Sequence, residues 1–211
     1  MSAPARGDCT VVVFAKAPLA GFAKTRLVPA LGAEGAARLA QRLLVRAVQA
    51  AVRADIGPVE LCCTPDAGHP AFAALAGQLG VTLGVQGEGD LGARMHRAFE
   101  RVLARTPLAL LIGTDAPALD AAYLQQAAAA LRERGNDAVI GPALDGGYTL
   151  VGLKRPSPGL FDTMPWSTPE VLAQTRLRLQ RLGLCHVELA PLADIDEPAD
   201  LVHLPAGWAI E

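Results

Sequence analysis

Two of the three lysines in the chain, Lys16 and Lys24, flank one short loop, KAPLAGFAK, and Arg26 follows directly after it. The chain carries 16 arginines, so it uses Arg wherever any cation serves. A compact ammonium acts on phosphate oxygens as a point charge, whereas a guanidinium presents a planar fork. The paired lysines therefore predict a phosphate-binding loop. Lys24-Thr25 resembles the end of a P-loop, but that motif needs glycines at 18 and 23, where Pro18 and Ala23 stand. A G-x-G-x-x-G fingerprint after the first apolar run is also missing, which counts against a hydride-transfer enzyme.

The acidic complement comes from three places where an apolar run ends. Asp115 closes Gly113-Thr114-Asp115, Asp145 opens Asp145-Gly146-Gly147, and Asp196 lies in ADIDEP. Each aspartate alone reads equally well as a turn or helix-capping residue. Together with the lysine loop they suit Mg²⁺ or Mn²⁺, hard cations that keep several waters and bridge to substrate phosphates. Lysine plus a carboxylate-held metal on one rim is what transfer at phosphorus requires, or transfer at an anomeric carbon that releases a diphosphate. In QGEGDLGARM, Gly87, Gly89 and Gly92 permit close backbone approach to a base or ribose, while Asp90 could equally cap the next helix. Tyr148 and Trp166 could stack on a ligand or simply pack.

The elements that must position these residues alternate in kind. Strand-like runs are expected at 10–15, 58–63, 81–86, 108–113, 137–141, 148–153 and 184–189. Amphipathic helical stretches separate most of them, at about 33–54, 69–79, 91–105, 120–134 and 169–182. In the first helix Leu39, Leu43, Ala47 and Ala51 form one apolar stripe, with Arg38, Arg42, Arg46 and Arg53 toward solvent. The last helix carries start signals: Thr168 as cap, Pro169 in the first turn, and a capping box from Ser167 to Glu170. Strands alternating with helices imply an α/β fold, with a mostly parallel sheet covered on both faces. GPALDGGYTLVGL breaks the rhythm, since two strands follow each other with no helix between; an antiparallel insertion near 141–153 is expected. Ligands of such sheets bind at the carboxyl ends of the strands, where the lysine loop and the three aspartates lie.

The chain has 211 residues, 51% hydrophobic and 19% charged, with a net charge of −2. That composition excludes intrinsic disorder and argues against a nucleic-acid binder or a membrane-surface protein. No apolar run approaches the ~20 residues of a membrane span. We expect one cytoplasmic domain over 1–211, with residues 1–8 as a flexible lead-in. Cys9, Cys62, Cys63 and Cys185 show no C-x-x-C spacing and read as buried free thiols.

The motifs FAKAPLAGFAKTRL, QGEGDLGARM, LLIGTDAPAL, GPALDGGYTLVGL, MPWSTPE and ADIDEPADL, in that order, span nearly the whole chain. The set resembles the family of radical-SAM/selenodomain-associated transferases 1, labelled glycosyltransferases, in the GT-A nucleotide-diphospho-sugar transferase superfamily. It is also similar to 2-phospholactate guanylyltransferases and, more distantly, to molybdenum-cofactor nucleotidyltransferases. The resemblance implies a Rossmann-like, three-layer GT-A fold with a nucleotide, an NTP or NDP-sugar, over the first half of the sheet. It places Lys16, Gly21, Lys24 and Arg26 on the phosphates, and Gly89, Asp90 and Gly92 near the base or ribose. Asp115 and Asp196 would hold the metal, and Asp145, Gly146, Gly147 and Ser167 would face a small-molecule acceptor. Two features depart from the pattern. The first loop has Pro18 and Ala20 where the superfamily's nucleotidyltransferases are richer in glycine, and the mid-chain metal site has only Thr114-Asp115 where its sugar-transferring members carry Asp-x-Asp. A literal Asp-x-Asp occurs late, as Asp194-Ile195-Asp196. The lysine loop, the single mid-chain Asp115 and the late Asp196 look more like NTP use than NDP-sugar use. They favour nucleotidyl transfer from an NTP, with Lys24 on the leaving pyrophosphate, over glycosyl transfer, for which Asp145 would be the base. A nucleotide sensor without catalysis is the third reading.

Overall fold

A computed structural model of the chain describes residues 7–208. Of the lead-in expected over 1–8, residues 1–6 lie outside the described residues, and Asp8 forms an ion pair with Arg132 at 2.6 Å. All seven expected strands form one sheet. They are β1 (Cys9–Lys16), β2 (Val59–Thr64), β3 (Thr82–Val85), β4 (Leu108–Ile112), β5 (Ala138–Pro142), β6 (Tyr148–Leu153) and β7 (His186–Glu188). Their order is β3-β2-β1-β4-β6-β5-β7. Every pairing is parallel except those of β6, which runs antiparallel to both β4 and β5. That strand is the insertion that GPALDGGYTLVGL announces. Its reversed direction brings Tyr148, opposite Pro142, back to the rim where the parallel strands end.

Among the described residues five α-helices cover the sheet: α1 (Val28–Ala54), α2 (Pro70–Leu79), α3 (Leu91–Leu103), α4 (Ala121–Arg132) and α5 (Val171–Arg181). Central strands are buried on both faces, which is why TVVVFA and LALLI show no polar alternation. Odd-numbered β1 residues Val11 and Val13 pack with Leu61, Leu110 and Ile112 against α1, α2 and α4. Val12 and Phe14 point the other way, into a core shared with Met95, Phe99, Leu172 and Leu179 of α3 and α5. The chain thus makes a three-layer α/β fold with helices on both faces.

Four details differ from the sequence reading. Helical structure in α1 begins at Val28, and Gly32 (φ 69°, ψ 166°) interrupts it just before the expected start at 33. Arg46 does not simply face solvent, because its guanidinium bonds the carbonyl of Pro117. Cys185 is exposed, since it precedes the short edge strand β7; the other three thiols are buried. In α5 the N-cap position is Glu170, without a side-chain bond; Thr168 stands two residues earlier and its hydroxyl accepts from the Glu170 amide at 3.4 Å, and Ser167 is not the cap. Ser167 adopts a left-handed φ of 63°, and the Leu172 N–H in the first turn is taken by the carbonyl of Gly146 at 2.8 Å. A backbone carbonyl from the β5–β6 link does the work of the missing cap.

Candidate functional site

The site is assembled by one small apolar cluster. Ile195 is fully buried with Leu27, Leu39 and Leu43, away from the two main cores. Its amide donates to the carbonyl of Asp115 at 2.9 Å. Leu27 closes a one-turn 3-10 helix, Thr25–Leu27, that begins directly after Lys24. Burying Leu27 against Ile195 therefore forces Lys24 beside Asp196, and the Ile195 amide brings Asp115 to the same point. Three segments far apart in sequence converge because one isoleucine ties them together.

Lys24 occupies the centre of this junction. Its ammonium lies 2.5 Å from Asp115 Oδ1, 2.8 Å from Asp196 Oδ1 and 2.6 Å from the carbonyl oxygen of Ile195. Only 8% of its side chain is exposed, against 44% for Asp115 and 40% for Asp196. Burial by itself would lower the affinity of Lys24 for its proton. Asp115 and Asp196 more than reverse that effect, and its pKa is raised above the usual lysine value. Lys24 holds this place from a left-handed backbone conformation, φ 50°.

Asp194 joins the cluster and escapes the sequence reading. Burial pushes its carboxyl up to about 6, with further contributions from Asp145, Asp196 and Asp115. Four aspartates from the ends of β4, β5 and β7 thus share one field. The signal for Asp194 is in the sequence, as the first member of Asp194-Ile195-Asp196, but only the fold places it near Asp145. Asp196 is not a helix cap. The 3-10 helix Pro198–His203 is capped by Glu197, and Asp200 accepts from the amides of Asp196 and Glu197 at 3.0 and 2.7 Å.

The other expected residues lie around this centre in varied roles. Lys16 is exposed at the end of β1, its ammonium 4.3 Å from the ring centroid of Phe22. Arg26 is exposed and lies 3.9 Å from Glu197. Gly21 has a positive φ of 74° with open space at its Cβ position. On the β3–α3 loop, Asp90 caps α3 by accepting from the Ala93 amide at 2.8 Å, and Gly89 (φ 95°) is exposed. Gly92 is buried inside α3, where a Cβ would meet the Phe161 carbonyl at 2.5 Å and Trp166 at 3.1 Å. Buried Gln86 ties the loop to the sheet by donating to the carbonyls of Ala15 and Cys62. In the β5–β6 link, Asp145 is exposed and accepts from the Gly147 amide at 2.8 Å. Gly146 is packed so closely that a Cβ would meet the Pro169 carbonyl at 2.3 Å, and Ser167 is exposed nearby in sequence. Tyr148 and Trp166 meet edge to face, 6.4 Å between centroids, beside the α3–α5 core.

Asp115 and Asp196 are two hard-oxygen donors drawn to one cation. Among the described residues no group of three His, Cys, Asp or Glu side chains could hold a metal. Two carboxylates fit a divalent ion that fills its remaining positions with water and substrate oxygens, as Mg²⁺ does.

A family profile described as an uncharacterized protein conserved in bacteria (DUF2064) matches residues 47–168, more than half of the chain. The chain belongs to the DUF2064 family. No curated protein matches the sequence at a significant level. Among solved structures, this DUF2064 protein is similar to a "putative nucleotide-diphospho-sugar transferase" from Desulfovibrio desulfuricans G20, at 29% identity and a TM-score of 0.83. That match covers 92% of this chain and 85% of the other. At the level of fold it is also similar to 4-diphosphocytidyl-2C-methyl-D-erythritol synthase from Anaerococcus prevotii DSM 20548, with a TM-score of 0.62 at 9% identity over 94% and 97% of the two chains. Glucosyl-3-phosphoglycerate synthase from Mycobacterium tuberculosis, solved with Mn²⁺, UDP and glucosyl-3-phosphoglycerate, gives 0.58 at 11% identity over 93% and 75%. The family profile and the likeness to the Desulfovibrio protein place the DUF2064 chain in the GT-A-like superfamily. Among its described residues no helix is long and apolar enough to cross a membrane.

Proposed function

We propose that the protein, one domain over 1–211, is a metal-dependent transferase that moves a nucleotidyl group from an NTP to a small phosphorylated or otherwise anionic acceptor. The class, a transferase acting on a nucleotide substrate, is supported by its neighbours, which include a cytidylyl-type synthase and a UDP-binding glucosyl transferase. The observation that carries the reading is the convergence of Lys24, Asp115 and Asp196 at the rim where β1, β4 and β7 end. Placement among radical-SAM/selenodomain-associated transferases, with 2-phospholactate guanylyltransferases as relatives, is part of this reading and rests on the order of six motifs.

Asp115 and Asp196 would hold Mg²⁺ or Mn²⁺, which when bound supplies charge neutralisation at the triphosphate. The acceptor oxyanion attacks the α-phosphorus, a new P–O bond forms, and the bond to the β-phosphate oxygen breaks to release pyrophosphate. An acceptor that is already anionic has no proton to lose, so no general base is needed and the protein supplies positioning and charge. Lys16, Lys24 and Arg26 neutralise the phosphates, Gly21 and Gly89 admit close backbone approach, and Asp90 orders the β3–α3 loop against the ribose. Asp145, Gly146, Gly147 and Ser167 shape the acceptor side.

A second reading, glycosyl transfer from an NDP-sugar, is favoured by the name of the Desulfovibrio relative. It needs a base to take the proton of an acceptor hydroxyl, and Asp145 is the exposed carboxylate on that side. Product analysis separates the two. Incubation with the four NTPs, a panel of NDP-sugars and Mg²⁺ is expected to release pyrophosphate from one NTP; release of an NDP from an NDP-sugar alone would replace nucleotidyl with glycosyl transfer.

A further inference from the structure

The Lys24 ammonium has three protons, and all three face oxygens: one each from Asp115, Asp196 and Ile195. Two of those oxygens belong to the carboxylates assigned to the metal. None of the three directions is left for a phosphate. We propose that Lys24 is the resident cation of the metal site, holding the two carboxylates in the ligand-free protein and releasing them only when nucleotide phosphates offer it replacement oxygens. The inference rests on the nucleotide-and-metal reading of the site and adds an order to it: metal and nucleotide enter together.

Mutual exclusion follows from charge and distance. A divalent cation ligated by Asp115 and Asp196 would contact the same carboxylates that Lys24 touches at 2.5 and 2.8 Å. Two cations on one pair of carboxylates repel, and the burial of Lys24 limits the screening on its side of the pair. Without a second destination the ammonium stays, because leaving would strand a buried charge. Triphosphate oxygens at the rim provide that destination. The lysine side chain is a flexible four-carbon stem with a compact head, and it can redirect by a few ångströms without moving the sheet. Reciprocity then requires that nucleotide raise metal affinity and metal raise nucleotide affinity by one common factor.

Two measurements on the full chain test this. The first is binding of Mn²⁺ alone, followed by electron paramagnetic resonance. Lys24→Met, which keeps an unbranched apolar stem one atom shorter and removes the charge, is expected to bind Mn²⁺ at least tenfold more tightly than the wild type, and Asp115→Asn in the same background to abolish the gain. Equal affinity in Lys24→Met and wild type overturns the proposal. The second uses the wild type, so it stands even if the variant fails to fold. With only three lysines, side-chain ammonium resonances in a ¹⁵N-lysine sample are assignable. The Lys24 signal is expected to persist with Mg²⁺ alone and to shift when Mg²⁺ is added with whichever of ATP, CTP, GTP or UTP raises the melting temperature. An unmoved Lys24 signal under a nucleotide that does raise it overturns the inference and leaves the transferase reading standing. If no NTP raises the melting temperature, the NTP reading falls, and the inference falls with it.

Discussion

Asp194 is the residue whose setting departs furthest from what its neighbours in sequence suggest. In sequence it is the first aspartate of Asp194-Ile195-Asp196 with no role of its own, yet burial and three nearby aspartates raise its carboxyl to about 6. A carboxyl that binds its proton more tightly in the folded than in the unfolded chain adds stability at low pH. That contribution is lost as pH rises from about 4 through 6. In metal-free protein, Asp194→Asn is therefore expected to raise the melting temperature at pH 8 by ~2–4 °C, about 1 kcal/mol once partial solvent exposure is allowed for. The gain should shrink as pH is lowered toward 4, and a gain independent of pH would mean that repulsion among the aspartates is not its source. Lys24, Asp115 and Asp196 were legible as chemistry from residue type and strand-end position. Their direct contact was not, because it depends on Ile195, an apolar residue whose burial beneath Leu27 no local pattern announces. Asp90 shows the opposite limit: cap and ribose contact were equally consistent with its sequence, and only the bond to the Ala93 amide at 2.8 Å reveals the cap.

Elements were legible wherever periodicity set them and less so where a tertiary partner did. All five helices lie within the expected stretches or extend them, but α5 starts at Val171 with Glu170 at its N-cap, and the Thr168 hydroxyl reaches only the amide of Glu170. The carbonyl of Gly146, 26 residues earlier in the chain, takes the Leu172 amide, and no reading of MPWSTPE could supply it. Glycines at the rim divide along the same line. Gly21 and Gly89 sit at positive φ on exposed loops, whereas Gly92 lies within helix α3 and is packed beneath Phe161 and Trp166. Gly92→Ala would gain up to about 1 kcal/mol of helix propensity but press a methyl group against a backbone carbonyl. The expected net result is a loss of about 1–2 kcal/mol in chemical denaturation, with the 161–166 segment displaced. Unchanged or increased stability together with weakened nucleotide affinity would instead put Gly92 at the ligand.

At the scale of the whole molecule, alternation of apolar runs and amphipathic stretches was enough for a mostly parallel sheet with helices on both faces, and the helix-free GPALDGGYTLVGL for its one reversed strand. The strand order β3-β2-β1-β4-β6-β5-β7 was not legible, because which strands become neighbours is decided by packing across the layers rather than along the chain. That order sets β1 beside β4 and so brings the lysine loop to Asp115. The central claim is that this rim binds a nucleotide through a divalent cation shared by Asp115 and Asp196. The most direct test is thermal unfolding of wild type and Asp115→Asn with each NTP, with and without Mg²⁺. A nucleotide at ~100 times its dissociation constant should add about 2.7 kcal/mol to the wild type. We predict that one NTP raises the wild-type melting temperature only when Mg²⁺ is present, and that Asp115→Asn loses this rise while remaining folded. A rise of the same size without Mg²⁺, or one retained in full by Asp115→Asn, would contradict the account.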